Sequence, residues 1–82
     1  MRRLEGKFVH ITNDDRFEGC IGKVLSVSYV TIDGVRKPFK VRVRIYCDDV
    51  YRSGFTKDYI QDKNLEIKGI VIVKDAWNVI IV

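Results

Sequence analysis

The chain has little proline, little cysteine and no long apolar run. One proline and six glycines among 82 residues exclude collagen-like and low-complexity structure. Two cysteines, Cys20 and Cys47, are too few for a disulfide-stapled small domain, so we expect two reduced, largely buried thiols. The longest apolar runs, 70–73 and 79–82, fall far short of the ~20 residues that cross a membrane. These features predict one domain, residues 1–82, without membrane contact.

Residues that carry catalytic or metal chemistry are also scarce. His10 is the single histidine, and it has no neighbouring serine or cysteine in sequence. A structural zinc site needs four ligands, usually in close pairs, whereas His10, Cys20 and Cys47 are three isolated residues. The carboxylate pairs at 14–15 and 48–49 are poor acid–base dyads, because adjacent side chains of an extended chain point apart. We therefore expect no enzyme activity, no metal and no cofactor.

The charge balance favours an anionic partner. The chain is 46% hydrophobic and 32% charged, which is typical of a folded domain, and its net charge is +4. A positive domain of this size is suited to RNA, DNA or an acidic protein surface. The charged N-terminal residues are not followed by an apolar stretch, so we expect no secretory signal and a cytoplasmic location.

The apolar pattern predicts an all-β domain of five to six antiparallel strands. The predicted strands cover residues 6–11, 20–32, 39–47, 65–73 and 77–82. Asp33-Gly34 indicates a tight hairpin, and 74–76 is a second candidate hairpin loop. Gly22 indicates a bulge or bend, and residues 56–63 could hold one helical or 3₁₀ turn capped by Thr56. The apolar C-terminal strand should be paired, within the sheet or in an oligomer.

The segment 39–47 alternates most strictly. Its apolar side chains share one face and its polar side chains the other: Phe39, Val41, Val43 and Ile45 against Lys40, Arg42, Arg44 and Tyr46. Pro38 stands at its start, where a missing N–H does least harm.

The segment 9–27 resembles the KOW motif, a strand of alternating valines, a turn, and then G-x-x-G-x-V-x-x-V. The matching residues are Val9, Ile11, Gly19, Gly22, Val24 and Val27. The segment departs from the pattern at 13–15 and at Glu18, where the turn is acidic. The resemblance implies a small SH3-like (KOW-like) bent barrel. It also implies binding to RNA, DNA, the ribosome or RNA polymerase, since such domains occur in ribosomal proteins and transcription elongation factors.

The first functional hypothesis is a nucleic-acid-binding module with a basic strand face. The candidate contacts are Arg36 and Lys37 in the preceding turn, Lys40, Arg42 and Arg44 on the strand, and Tyr46 as a stacking partner. Residues two apart on a strand stand ~6.6–7 Å apart, close to two phosphate repeats of ~3.4 Å. Arg2 and Arg3 could add to this charge. The simpler interpretation is a solvated face that protects the sheet against edge pairing.

The second hypothesis is a protein-interaction module. Tyr51, Phe55 and Tyr59 lie in an irregular segment and would form an exposed aromatic groove, or the C-terminal strand would add to a partner's sheet. A third possibility is an assembly subunit that buries Val79–Val82 between identical chains. Phe8, Phe17, Phe39 and Trp77 are predicted to be core residues. The pattern leaves open the choice between RNA, DNA and protein, and the oligomeric state.

Overall fold

A computed structural model describes residues 3–82 and contains five antiparallel strands. The strands are β1 (Phe8–Ile11), β2 (Ile21–Ile32), β3 (Val35–Ile45), β4 (Ile70–Asp75) and β5 (Val79–Ile81). They form one sheet in the order β4-β3-β2-β1-β5. An insertion between β3 and β4 holds the 3₁₀ segment Cys47–Ser53 and the helices α1 (Lys57–Asp62) and α2 (Leu65–Lys68). The 3₁₀ segment Ala76–Asn78 connects β4 to β5.

The sheet curls around an apolar core. The buried cluster comes from β1, β2, β3 and the β1–β2 loop: Val9, Ile11, Phe17, Cys20, Val24, Val41, Val43 and Ile45. Ile72 of β4 and Val79 of β5 pack against this same cluster, although their strands are the opposite edges of the sheet. The predicted small all-β fold of five antiparallel strands, bent into a barrel-like shape, is therefore confirmed.

Gly22 is not the bulge that the sequence indicated. The two register shifts of the β2–β3 ladder fall between Val24 and Ser26 and between Ser28 and Tyr29. A glycine is instead needed at position 22 because core side chains of β3 approach the backbone of β2 closely there. A Cβ there would overlap Val43 Cγ1 and would lie 3.0 Å from Ile45 Cδ1. The core side chains of β3 thus occupy the space that any larger residue would fill.

The β2–β3 hairpin extends beyond the barrel. β1 pairs only with residues 21–23 of β2, and β4 only with residues 40–45 of β3. The remaining residues, about 28–39, pair with each other alone and form what we name the hairpin arm, so that the molecule measures 48 × 22 × 19 Å. The tip is the predicted Asp33-Gly34 turn, in which both residues have positive φ (52° and 78°), as a type I′ turn requires.

The C-terminal third differs from its prediction. Leu65–Lys68 is helix α2 and not strand, because Asn64 (φ 56°) and Gly69 (φ 80°) turn the backbone at its two ends. Residues 74–76 do not form a hairpin loop, since β4 pairs with β3 and β5 pairs with β1. The 3₁₀ segment Ala76–Asn78 carries the chain from one sheet edge to the other. The expected pairing of the last strand is found within the sheet.

The insertion contains more helix than the one turn expected. Residues 57–62 form α1, and the Thr56 hydroxyl caps it by accepting a hydrogen bond from Tyr59 N at 3.2 Å, as predicted. Two arginines hold the insertion against the barrel. Arg16 donates to Ser53 O at 2.6 Å, and Arg52 lies 2.9 Å from Cys20 Sγ.

The cysteines and aromatic residues are less buried than predicted. Both thiols are free, but Cys20 is buried and Cys47 is exposed. Burial raises the pKa of the Cys20 thiol above its ordinary value, against the opposing effect of Arg52. Of the four predicted core aromatics only Phe17 is buried, whereas the other three are 43–65% exposed: Phe8, Phe39 and Trp77. The register faces Phe8 outward, Phe39 occupies a bulge, and Trp77 lies in a 3₁₀ turn.

Within residues 3–82, no helix is long and apolar enough to span a membrane.

Candidate nucleic-acid interface

Positive charge is concentrated on the sheet. The five strands carry seven lysines or arginines and one acidic residue, Asp75. The seven are Lys23, Arg36, Lys37, Lys40, Arg42, Arg44 and Lys74. The acidic residues lie mainly in the β1–β2 loop and in the insertion, at 14, 15, 18, 48, 49, 58, 62 and 66. The sheet is therefore the part of the described chain best suited to attract an anion.

The predicted alternation of β3 is confirmed at its barrel end. Val41, Val43 and Ile45 are completely buried. The intervening residues Arg42 and Arg44 therefore lie on the opposite, outward face, together with Lys40. We name this surface, formed by the outward residues of β1, β2, β3 and β4, the outer face.

The three cations of β3 that lie on the outer face at its barrel end, which we name the basic stripe, have different surroundings. Lys40 forms an ion pair with Asp75, its register partner on β4. Arg42 is exposed, and none of the ion pairs within residues 3–82 involves it. Arg44 is half-buried, and its Nε has no hydrogen-bond partner among the described residues. Gly69 leaves room for this side chain, since a Cβ there would lie 2.6 Å from Arg44 Cγ. Arg44 is thus held in place by packing.

Arg36 and Lys37 belong to β3 and not to a preceding turn. The two-residue turn at 33–34 lets the strand begin at Val35. Adjacent residues of a strand point to opposite faces, and the extra residue at the Phe39 bulge puts Lys37, and not Arg36, on the face of Lys40. Lys37 pairs with Val30 and stays on the outer face, whereas Arg36 lies over the Tyr29 ring, 4.3 Å from its centroid. Arg36 is therefore separated from the other candidates.

Lys23 is a member of the outer face that single-strand reasoning missed. It lies on β2, exposed and directly opposite Arg44. Phe8 of β1 is its other register partner, and Val71 of β4 continues the same row beyond Arg44. Only the pairing register between β2 and β3 would have revealed Lys23, because that register depends on both strands and not on one strand alone.

The remaining predicted nucleic-acid contacts are peripheral. Tyr46 has extended backbone, is half-buried, and stands where β3 ends and the 3₁₀ segment begins. Arg3 is exposed, and Arg2 lies outside the described residues. Lys74, which was not among the predicted contacts, faces the core side of the sheet, where its Nζ lies 3.1 Å from Asp14 Oδ2, so it is not available to a ligand on the outer face.

The aromatic residues of the protein-interaction hypothesis lie on the insertion and not on the strands of the outer face. Phe55 and Tyr59 are 49% and 44% exposed, and their ring centroids are 4.9 Å apart. Tyr51 is half-buried, and the Glu66 carboxylate beside it raises the pKa of its hydroxyl. The structure thus brings two of the three together as an exposed pair.

No group of three or more His, Cys, Asp or Glu side chains within residues 3–82 is arranged to hold a metal ion. Searches against protein-family models, curated proteins and solved structures give no match for this chain. The KOW resemblance of segment 9–27 stays a prediction.

Proposed function

We propose that this protein is a nucleic-acid-binding module that contacts phosphates through its outer face. It would act in the cytoplasm on RNA, DNA or a nucleoprotein complex. The observation that carries the proposal is the charge segregation, with seven basic residues and one acidic residue on the strands. Four of the seven lie on the outer face outside any ion pair within residues 3–82: Lys23, Lys37, Arg42 and Arg44.

These cations suit a backbone-directed mode of binding. Neighbouring strands lie about 4.8 Å apart and alternate residues about 6.6–7 Å apart, so Lys23, Arg42 and Arg44 form a compact cluster on a rigid sheet. Phosphate contacts release condensed counterions, which makes affinity depend steeply on salt. They position the ligand but carry no sequence information, so the binding is expected to tolerate many sequences.

Neutralising two exposed cations tests this function. We expect the Lys23→Ala/Arg42→Ala variant to bind nucleic acid about tenfold more weakly at low salt, because two phosphate contacts are lost. The slope of log affinity against log salt should become shallower by about 1.4 for single strands and about 1.8 for duplex. Fluorescence polarisation with labelled single-stranded RNA, single-stranded DNA and duplex DNA, between about 50 and 200 mM salt, measures both quantities.

The matched control removes the same charge from the insertion. Lys57 and Lys63 are exposed and lie on or just after α1, so Lys57→Ala/Lys63→Ala changes net charge equally without touching the outer face. The control should bind as the unmodified protein does. The proposal fails if no probe binds at about 50 mM salt, or if the control loses as much affinity as the outer-face variant.

The exposed Phe55–Tyr59 pair favours protein interaction as a second candidate. An aromatic contact of this kind would depend weakly on salt and would not need Arg42. Binding to a protein partner that survives high salt and Arg42→Ala, but is lost in Phe55→Ala, would favour this second candidate.

A further inference from the structure

An exposed phenylalanine stands in line with the unpaired cations of the outer face. Phe8 is 52% exposed although it lies on a strand with two completely buried neighbours, Val9 and Ile11. It is the direct register partner of Lys23, and Lys23 is the partner of Arg44. With neighbouring strands about 4.8 Å apart, Phe8, Lys23 and Arg44 cover about 10 Å across the sheet.

Nothing within the described chain requires Phe8 to be aromatic. No aromatic pair and no cation–π contact within residues 3–82 includes its ring. The exposed apolar side chains of Ile21 and Ile80 lie on the neighbouring strands with His10 between them, and the exposed Val82 directly follows β5. The ring therefore forms the aromatic centre of a surface that is apolar on one side and cationic on the other.

We propose that this row binds single-stranded nucleic acid, with one base stacked on Phe8 and the adjoining phosphates held by Lys23 and Arg44. The inference rests on the proposed function and specifies its ligand. Aromatic side chains beside a basic groove are how single strands are bound without sequence preference, because every base has a π-face. Arg44 is half-buried and lies against Gly69. It therefore limits how the sugar–phosphate backbone of the bound strand can lie relative to the Phe8 ring.

Charge decides between the possible occupants of this surface. The cations beside Phe8 belong to no ion pair within the described residues, and the row contains no acidic side chain. A duplex satisfies the cations but keeps its bases stacked inside, so Phe8 gains nothing from it. A single-stranded nucleic acid supplies phosphates for Lys23 and Arg44 and a free base face for Phe8, and thus satisfies both the cationic and the aromatic part of the row.

The test compares one labelled strand alone and in a duplex. A labelled oligo-dT of about 12 nucleotides suits a domain of this size, and annealing it to oligo-dA hides the base faces. We expect tighter binding to the single strand. Phe8→Leu, which keeps an apolar side chain but removes the ring, should weaken single-strand binding about tenfold and leave duplex binding unchanged.

Two variants and one spectroscopic measurement make the test specific. Phe8→Tyr keeps the stacking surface and should bind as the unmodified protein does. Phe55→Leu removes a ring of similar exposure, 49%, from the insertion and should have no effect. Stacking should also move the Phe8 ring-proton resonances upfield when oligo-dT is added.

The outcomes separate the two proposals. Equal or tighter binding of the duplex, or full oligo-dT binding by Phe8→Leu, would overturn the single-strand inference and leave phosphate-directed binding intact. Failure of the unmodified protein to bind either probe would overturn both. Loss of oligo-dT binding in Phe55→Leu but not in Phe8→Leu would place the ligand on the insertion and contradict both.

Discussion

Gly22→Ala is expected to lower the free energy of unfolding by about 3 kcal/mol, the upper part of the range for overpacking a core. The new methyl group would overlap Val43 Cγ1 and would approach Ile45 Cδ1 to 3.0 Å and the Arg44 carbonyl oxygen to 3.1 Å. Val43 and Ile45 are completely buried, and the third contact is backbone, so there is little freedom to yield. Urea denaturation followed by circular dichroism measures the loss.

A double variant identifies the cause of this loss. Val43→Ala alone should cost about 2 kcal/mol by leaving a cavity. Because it also removes the methyl group that a new side chain at position 22 would meet, Gly22→Ala/Val43→Ala should be destabilised by clearly less than the two single changes together. Strict additivity, or a Gly22→Ala variant as stable as the unmodified protein, would show that β2 and β3 do not approach as closely as described.

The second large effect is expected at Asp14, whose carboxylate organises the β1–β2 loop. It accepts hydrogen bonds from Arg16 N at 2.9 Å and Phe17 N at 2.8 Å, and Lys74 Nζ lies 3.1 Å away. The Lys74 side chain is only 10% exposed, so removing the negative charge leaves an almost buried ammonium group without its ion-pair partner. Asp14→Asn should therefore cost about 2 kcal/mol at pH 7.

The same interaction predicts how stability depends on pH. Burial raises the pKa of Asp14, but the Phe17 and Arg16 N–H groups and Lys74 together outweigh it and hold the pKa below its ordinary value of 3.8. A carboxyl whose pKa is lowered by folding contributes stability above its unfolded pKa and loses it as the pH falls through the folded value. The difference between the unmodified protein and Asp14→Asn should thus be constant near neutral pH and should shrink below about pH 4.

The neighbouring Asp15 provides the control, because it is exposed and Asp15→Asn makes the same change of charge. Asp15→Asn should stay within about 0.5 kcal/mol of the unmodified protein at every pH. An equal loss in both variants would point to general charge repulsion and would contradict a specific role for the Asp14–Lys74 pair.

The outer face contributes to the proposed function through two residues that the linear pattern did not single out. Lys23 was hidden because its strand alternates irregularly across the bulge at 25, and Phe8 because a phenylalanine near two core residues is usually buried. Their direct pairing places a ring beside a cation, and the register of three strands extends the row to Arg44. The alternation along β3 identifies the basic stripe, but it does not identify the row of Phe8, Lys23 and Arg44, which crosses three strands.

Local sequence by itself determined the features whose causes lie within a few residues. The alternation of 40–45 predicts one buried and one basic face, Asp33-Gly34 predicts the tight hairpin, and Thr56 predicts the helix cap, since periodicity, positive φ and side-chain capping are short-range effects. Together with the turn residues they also predicted the all-β class.

Only the tertiary structure decided what depends on the pairing partner. The bulge at Phe39 puts Lys37 instead of Arg36 on the face of Lys40, Gly22 is required by side chains of another strand, and β4 and β5 become opposite edges instead of a hairpin. Register, close approach and strand order are set by long-range packing around one core, where the contacts join residues far apart in sequence. The basic stripe is therefore readable from the chain alone, whereas the row in which Phe8, Lys23 and Arg44 meet exists only once the sheet has formed.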